Sequence, residues 1–385
     1  FQLTPNQQAA LEVDGDVMVT AAAGSGKTRV LTMRILRAVL EQGADLRHVV
    51  AVTYTRRAAD EIRMRVAAGL QERGRFDLIA LLDQATIGTI HNLCGRIVRR
   101  HGALLGIDPG VRMLDETTCR WELRQAIRWA CSELAAVDSD VAMLRSRWRD
   151  DRIESIIIAA HSASQQRVDP RVTCVPQHGL TEDSDLGALD RIMQAALARY
   201  EFACRTHGGV DFDRMQRLAL DLLSIDDVRL DIRSHVSRLL VDEFQDTNAL
   251  QCAIIDAIGD ACTFAVGDEF QSIYRFRAAD VEVFRERRNS HHNVLAMPEN
   301  FRSHPNILAV VNAIFTSAFG DHYQPVVAGR STESDETNIA IPEIRVAIAD
   351  AIDEARRIEA SHVAARVVEL CNTGVSAGDI ALLFP

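Results

Sequence analysis

Apolar residues along the chain gather in short blocks closed by small or polar turns, and these blocks alternate with longer stretches of helical period. Val17-Met18-Val19-Thr20 predicts a short buried strand, which runs through the small residues Ala21 to Gly26 into an amphipathic helix over Thr28 to about Leu40. Val49-Val50-Ala51-Val52-Thr53 predicts a second strand, a helix follows from about Arg57 to Leu70, and Ala85 to Thr89 predicts a third strand. From about Leu93 to Thr206 the pattern turns helical, holds all three tryptophans (Trp121, Trp129, Trp148) and has no clear strand run. Strands return at Arg238 to Asp242 and Thr263 to Asp268. Beyond Asn289, Val294-Leu295-Ala296 and Ile344 to Ile348 predict strands with a helix over Pro305 to Phe319 between them, and Ala381 to Phe384 ends the chain as a strand-like run. The polar stretch Ala328 to Asn338 predicts a surface loop. Strands alternating with helices imply an α/β fold with a parallel sheet covered on both faces.

At 385 residues the chain calls for two or three domains. No run of about 18 apolar residues suggests a membrane span. The opening Phe1-Gln2-Leu3-Thr4-Pro5 has neither the basic nor the apolar part of a signal peptide. Eight scattered cysteines form no Cys-x-x-Cys pair, which speaks against a disulfide scaffold or zinc site and for a reducing cytoplasm. A net charge of −11 does not exclude a narrow basic track on an acidic body. One count is sharper: Lys27 is the only lysine, and the other 42 basic residues are arginine. A lysine kept alone in such a chain points to a task that arginine cannot do.

Lys27 lies in Ala21-Ala22-Ala23-Gly24-Ser25-Gly26-Lys27-Thr28, between a strand and a helix. Small residues there let backbone N–H groups face a phosphate, and the new helix adds its positive end. Ala23, Gly24, Ser25, Gly26, Lys27, Thr28 and the following Arg29 are therefore the candidate nucleotide cradle, with the Lys27 ammonium on the β and γ phosphates and the Thr28 hydroxyl on Mg²⁺. A glycine-rich turn without a ligand is the plainer alternative. Leu239-Leu240-Val241-Asp242-Glu243 is an apolar strand ending in two carboxylates. Asp242 is the candidate Mg²⁺ ligand and Glu243 the base that orients and deprotonates water; two solvated acids at a strand end are the alternative.

The surrounding residues carry a family resemblance. Asp242-Glu243-Phe244-Gln245-Asp246-Thr247-Asn248 and Gly267-Asp268-Glu269-Phe270-Gln271-Ser272-Ile273-Tyr274-Arg275-Phe276-Arg277 resemble the second and third motifs of the UvrD/Rep/PcrA helicases of superfamily 1. Val52 to Ala59, Gly88-Thr89-Ile90-His91, Asn300-Phe301-Arg302-Ser303 and Leu3-Thr4-Pro5-Asn6-Gln7 resemble four others, all in the family's order. The family commonly has tryptophan where Phe276 stands and Asn-Lys where Arg56-Arg57 stand.

The resemblance implies a RecA-like lobe in two segments (1–93 and 209–290), an inserted all-helical subdomain (94–208) and the first part of a second RecA-like lobe (291–385). It implies ATP and Mg²⁺ as cofactors and gives Gln7 the adenine edge, Gln271 the neighbourhood of the γ-phosphate, and Arg302, delivered from the second lobe, the part of an arginine finger. It places Tyr54, Thr55, Arg56, Thr89, His91, Tyr274, Phe276 and Arg277 against single-stranded DNA, with base-neutral stacking on the aromatic rings. The arginines of the insertion, Arg120, Arg124 and Arg128 among them, are either duplex-phosphate contacts or a solvated face.

The implied activity is that of an ATP-driven single-strand DNA translocase and helicase, 3′ to 5′, working at single-strand/duplex junctions. The family's last motifs lie beyond the point reached at Pro385, so a front part that hydrolyses ATP weakly by itself is expected. Two other readings remain: the motor component of a helicase–nuclease or defence complex with a nuclease or repair partner, and a non-motor P-loop nucleotide switch.

Overall fold

The computed structural model describes residues 2–165, 184–259, 263–272, 281–329 and 346–383. Its strands are β1 (Val17–Ala21), β2 (Val49–Thr53), β3 (Thr86–Thr89), β4 (Arg112–Met113), β5 (Gly209–Val210), β6 (Arg238–Val241), β7 (Thr263–Gly267), β8 (Val294–Met297), β9 (Glu299–Asn300) and β10 (Val327–Ala328). Six of them form one sheet in the order β3-β2-β6-β7-β1-β8, and every ladder in it is parallel.

Successive side chains of a strand point to opposite faces, and both faces of this sheet are dry. Met18, Val50, Val52, Leu239 and Val241 enter one core with the helices Ile90–His101, Phe212–Leu223 and Ala249–Ile258. Val17, Val19, Val49, Ala51 and Leu240 enter the other, under the helices Lys27–Leu40 and Arg56–Glu72. Each of the valine, leucine and methionine side chains among them contributes about 1.5–3 kcal/mol of hydrophobic stabilisation. The predicted α/β sheet is thus present.

Three expectations are corrected. The first boundary, set at 93/94, falls inside the helix Ile90–His101, whose Leu93, Cys94, Ile97 and Val98 are buried in the sheet's core; that lobe continues past it to Val111. The insertion then has its own core, built by the helices Glu116–Ala135, Ser139–Arg147, Asp150–Gln165 and Ser184–Thr206 around Leu123, Ile127, Ile157 and Ile192. Its root carries a two-strand ladder of β4 on β5 that the pattern did not suggest. Thirdly, β8 belongs to the first lobe, because it pairs with β1 from Met18↔Val294 to Ala21↔Met297. The compact division of the chain comes after Ser303 rather than at 291, with Gln324–Arg330 returning to the first unit as β10 pairs β9.

The second unit comprises His304–Tyr323 and Ser331–Pro385. It holds the predicted helix Pro305–Phe319, started by Pro305 after its cap His304, with Phe315 stacked on Phe319 and Tyr323 Oη donating to Asn312 at 2.9 Å. A further helix spans Ile352–Asn372. Among the described residues it has no strand: Val346–Ile348 and Ala381–Leu383, expected as strands, have no ladder partner. A strand needs a neighbour for its N–H and C=O groups, and β8, expected as a strand of this lobe, is paired with β1 in the six-stranded sheet instead. The remaining parts of those two runs lie outside the described residues. No described helix is long and apolar enough to cross a membrane.

Candidate nucleotide and strand site

Because all six strands run the same way, their carboxyl ends share one edge of the sheet, where α/β folds bind ligands. The loops leaving β1, β2, β3, β6, β7 and β8 therefore meet there, and the described parts of the motifs sit on them, apart from Leu3–Gln7, which begins the helix Pro5–Glu12 ahead of β1.

After β1 the chain turns through Gly24 (φ +66°) and Gly26 (φ +86°), left-handed conformations that glycine adopts at little cost. Gly26 is also the N-cap of Lys27–Leu40 and gives that helix no side-chain cap, so its first N–H groups remain available to an anion. The Ser25 hydroxyl is buried with no hydrogen-bond partner, a donor awaiting an acceptor. Below the loop Gln7 is 2% exposed; its Nε2 donates to the Ser25 carbonyl at 2.8 Å, and its Oε1 accepts from Thr4 N–H at 3.2 Å. Gln7, expected at an adenine edge, is thus found bracing the cradle. On the other side Phe301 N–H donates to the Gly24 carbonyl at 2.9 Å. Asn300 Oδ1 accepts from the N–H groups of Arg302 (2.8 Å) and Ser303 (2.7 Å). The backbone of Arg302 is therefore fastened to the cradle within the first unit, which corrects its delivery from a second lobe.

β6 delivers the acids. Lys27 Nζ stands 3.5 Å from Glu243 Oε2, so the solitary lysine and the acid pair do share one site. Asp242 is buried; burial first, and then the neighbouring charge of Glu243, push its carboxyl up to about 7, while Lys27 pulls the other way. Asp246 behaves alike, raised to about 6 by burial and then Glu243, and its Oδ1 has no partner. A cationic ligand would relieve this concentration of carboxylates around one ammonium, so the residues fit Mg²⁺, a hard ion that completes its shell with water and phosphate oxygens. Glu243 is the one non-glycine residue with positive φ among the described residues (φ 51°, ψ 45°). Holding a side-chain residue there costs about 1–2 kcal/mol, a strain that recurs at functional positions. Gln271, on the loop after β7, donates from Nε2 to Asp268 Oδ2 at 2.6 Å.

The loops after β2 and β3 open onto a separate concavity of about 550 Å³, lined by Tyr54, Arg56, Thr89 and His91. Arg63, Asn92, Arg99 and Phe212 line it too. Sequence reasoning missed these four, although the helical spacing of Arg63 from Arg56 and of Arg99 from Asn92 was legible. Thr55 and Thr89 are the N-caps of the helices Arg56–Glu72 and Ile90–His101, their hydroxyls accepting from Ala58 and Asn92 N–H. Two helix N-termini thus face this edge with three arginines against one carboxylate, Asp60, a net positive setting that favours phosphates. Thr55 does not line the concavity. His91 packs edge-on to Phe212 at 5.1 Å between ring centres; burial, then the charge of Arg56, hold its imidazole down at about 4, hence neutral at pH 7. Tyr274, Phe276 and Arg277 lie outside the described residues.

Comparison with known proteins identifies the family. Residues 3–292 match the family model of the UvrD/REP helicase N-terminal domain. The chain is 30% identical over 323 residues to the ATP-dependent DNA helicase Rep of Escherichia coli, covering 82% of this chain and 44% of Rep. It is 29% identical over 335 residues to the ATP-dependent DNA helicase UvrD1 of Mycobacterium tuberculosis, covering 83% and 40%. It is 26% identical over 464 aligned residues to an ATP-dependent helicase/nuclease protein of Syntrophomonas wolfei, itself one component of such an enzyme, covering 81% and 38%. The chain spans about two fifths of the length of the curated relatives it matches.

Proposed function

This chain belongs to the UvrD/REP helicase family, and from that premise we propose that it is the ATP-binding part of a motor that moves along single-stranded DNA and opens duplexes at single-strand/duplex junctions. The observation that carries the reading is the 3.5 Å approach of Lys27 to Glu243 at the sheet edge that also opens the arginine-lined groove.

In this reading Lys27 and the N–H groups of Gly24 to Thr28 neutralise and fix the β and γ phosphates. Glu243, held near them, aligns a water for in-line attack and accepts its proton. Thr28 and Asp242 would hold Mg²⁺, which supplies charge neutralisation on the phosphate oxygens when bound. Arg302, fastened to the cradle through Asn300, offers a cation for the charge that develops on the transferred group, and Gln271 links hydrolysis to the bound strand. Tyr54, Arg56, Thr89 and His91 form one wall of the strand path, and neutral His91 and Tyr54 offer flat faces to bases of any identity. Movement 3′ to 5′ follows the family pattern. A cytoplasmic location fits the unpaired cysteines at 94, 119, 131, 204, 252 and 371.

The test is the rate of ATP hydrolysis by the full-length protein with and without a single-stranded oligonucleotide. Stimulation of at least about tenfold is expected, and an unchanged rate would remove the motor reading. The likeness to a helicase/nuclease component supports a second setting, in which the same motor serves a nuclease partner.

A further inference from the structure

Gln245 lies two residues past the base and is 1% exposed. Its amide is used at both ends. Nε2 donates to Glu243 Oε2 at 2.8 Å, and Oε1 accepts from the backbone N–H of Asp268 at 2.9 Å. The orientation of the amide follows from chemistry, since a backbone N–H can only donate and a carboxylate can only accept. Neighbouring packing fixes its place: a methyl on Gly267 would come within 2.6 Å of Gln245 Oε1. Asp268 in turn accepts from Gln271 Nε2 through Oδ2 (2.6 Å) and from Phe270 N–H through Oδ1 (3.0 Å). A line of contacts therefore runs Glu243–Gln245–Asp268–Gln271, passing through Asp268 from its backbone N–H to its carboxylate, from the base at the end of β6 to the loop that follows β7.

We propose that Gln245 is a positioning residue that ties the Glu243 carboxylate to the loop Asp268–Ser272, so that a shift of this loop is felt at the base. No other side chain of similar volume does this. Glutamate would meet Glu243 with like charge, methionine has no donor, and asparagine is one methylene too short to reach both partners. Buried groups left half-paired are costly, so the line holds as a unit. This inference rests on the function proposed above, because it takes Glu243 as the base and the loop after β7 as the route to the strand.

The experiment compares the full-length wild-type protein with its Gln245→Asn and Gln245→Met variants, the first a mild change that retains polarity. Three quantities are read: affinity for a fluorescent ATP analogue, turnover at saturating ATP, and the ratio of turnover with and without a single-stranded oligonucleotide. Affinity is expected to stay within about threefold, while turnover falls at least about tenfold and the ratio shrinks towards one, the pattern of a lost transition-state alignment. A ratio kept at the wild-type value, or affinity and melting temperature falling together with turnover, would reduce Gln245 to packing and overturn the proposal. Unaltered turnover would overturn it outright. A wild type that hydrolyses ATP without any response to the strand would sink the motor reading alone, and the split between turnover and affinity would still decide whether Gln245 positions the base. A wild type that does not hydrolyse ATP would overturn both.

Discussion

Gly24→Ala perturbs the cradle where its geometry is tightest. An added methyl would stand 2.7 Å from Arg302 Cβ, 3.1 Å from Asn300 Oδ1 and 3.3 Å from Arg302 N. None of these is the free end of a flexible side chain, and Phe301 N–H holds the same segment to the Gly24 carbonyl at 2.9 Å. Two costs arise. A side-chain residue at φ +66° costs about 1–2 kcal/mol, and forced repacking costs about 1–3 kcal/mol. Gly43→Ala isolates the first, since Gly43 has φ +71° with nothing within 4 Å of the added carbon. The second should appear as a displaced cradle, with nucleotide binding weaker by about five- to 150-fold at about 1.4 kcal/mol per decade. Titration of both variants with a fluorescent ATP analogue, beside their thermal unfolding, provides the measurement. Gly43→Ala should bind like wild type and Gly24→Ala should not. Equal, wild-type affinity in both would refute the account of Asn300 and Arg302 as the outer wall of the site.

Other outcomes follow from the same geometry. Lys27→Arg keeps the charge but replaces a compact ammonium by a broad fork; ATP turnover should fall on the order of a hundredfold or more, as when other transition-state donors are removed, and rescue by arginine would speak against the phosphate role. His91 is held down at about 4 in the folded chain against 6.5 unfolded. Its contribution is thus complete above pH 6.5 and is lost as pH falls to about 4, by at most about 3 kcal/mol. Urea unfolding of wild type and His91→Asn should show their stability difference shifting against the wild type over that window and flat above it. Arg63→Ala and Arg99→Ala should each weaken single-strand binding and lower the slope of log affinity against log salt by about 0.7 for each phosphate no longer neutralised; an unchanged slope would take that arginine out of the strand path.

Much of this was legible in the chain because the sheet is buried on both sides. Val49–Val52 is continuous apolar sequence since both faces of β2 are covered, and Pro305 marks the start of its helix since its missing N–H is one of the orphans there. The lone lysine and the Asp-Glu pair announced their meeting by residue type alone. Pairing across distance was not legible. Nothing local in Val294–Met297 says that its partner is Val17–Ala21, so the strand was assigned to the wrong lobe and Arg302 with it. The same holds for the two-residue ladder at the root of the insertion. The end of the lobe was misplaced at 93 because one amphipathic helix, Ile90–His101, looks the same whether it packs on a sheet or in a bundle. Gln245 stood inside a recognised motif, but only the fold brings Asp268 to its oxygen.

The central claim is that Glu243, strained at the end of β6 and 3.5 Å from Lys27, is the group that activates water on a bound triphosphate. Single-turnover hydrolysis of pre-bound ATP by wild type and Glu243→Gln addresses it directly. The variant should bind ATP as tightly as wild type and cleave it on the order of a hundredfold or more slowly, the scale of a lost general base. Cleavage by the variant at a rate close to that of wild type would contradict it.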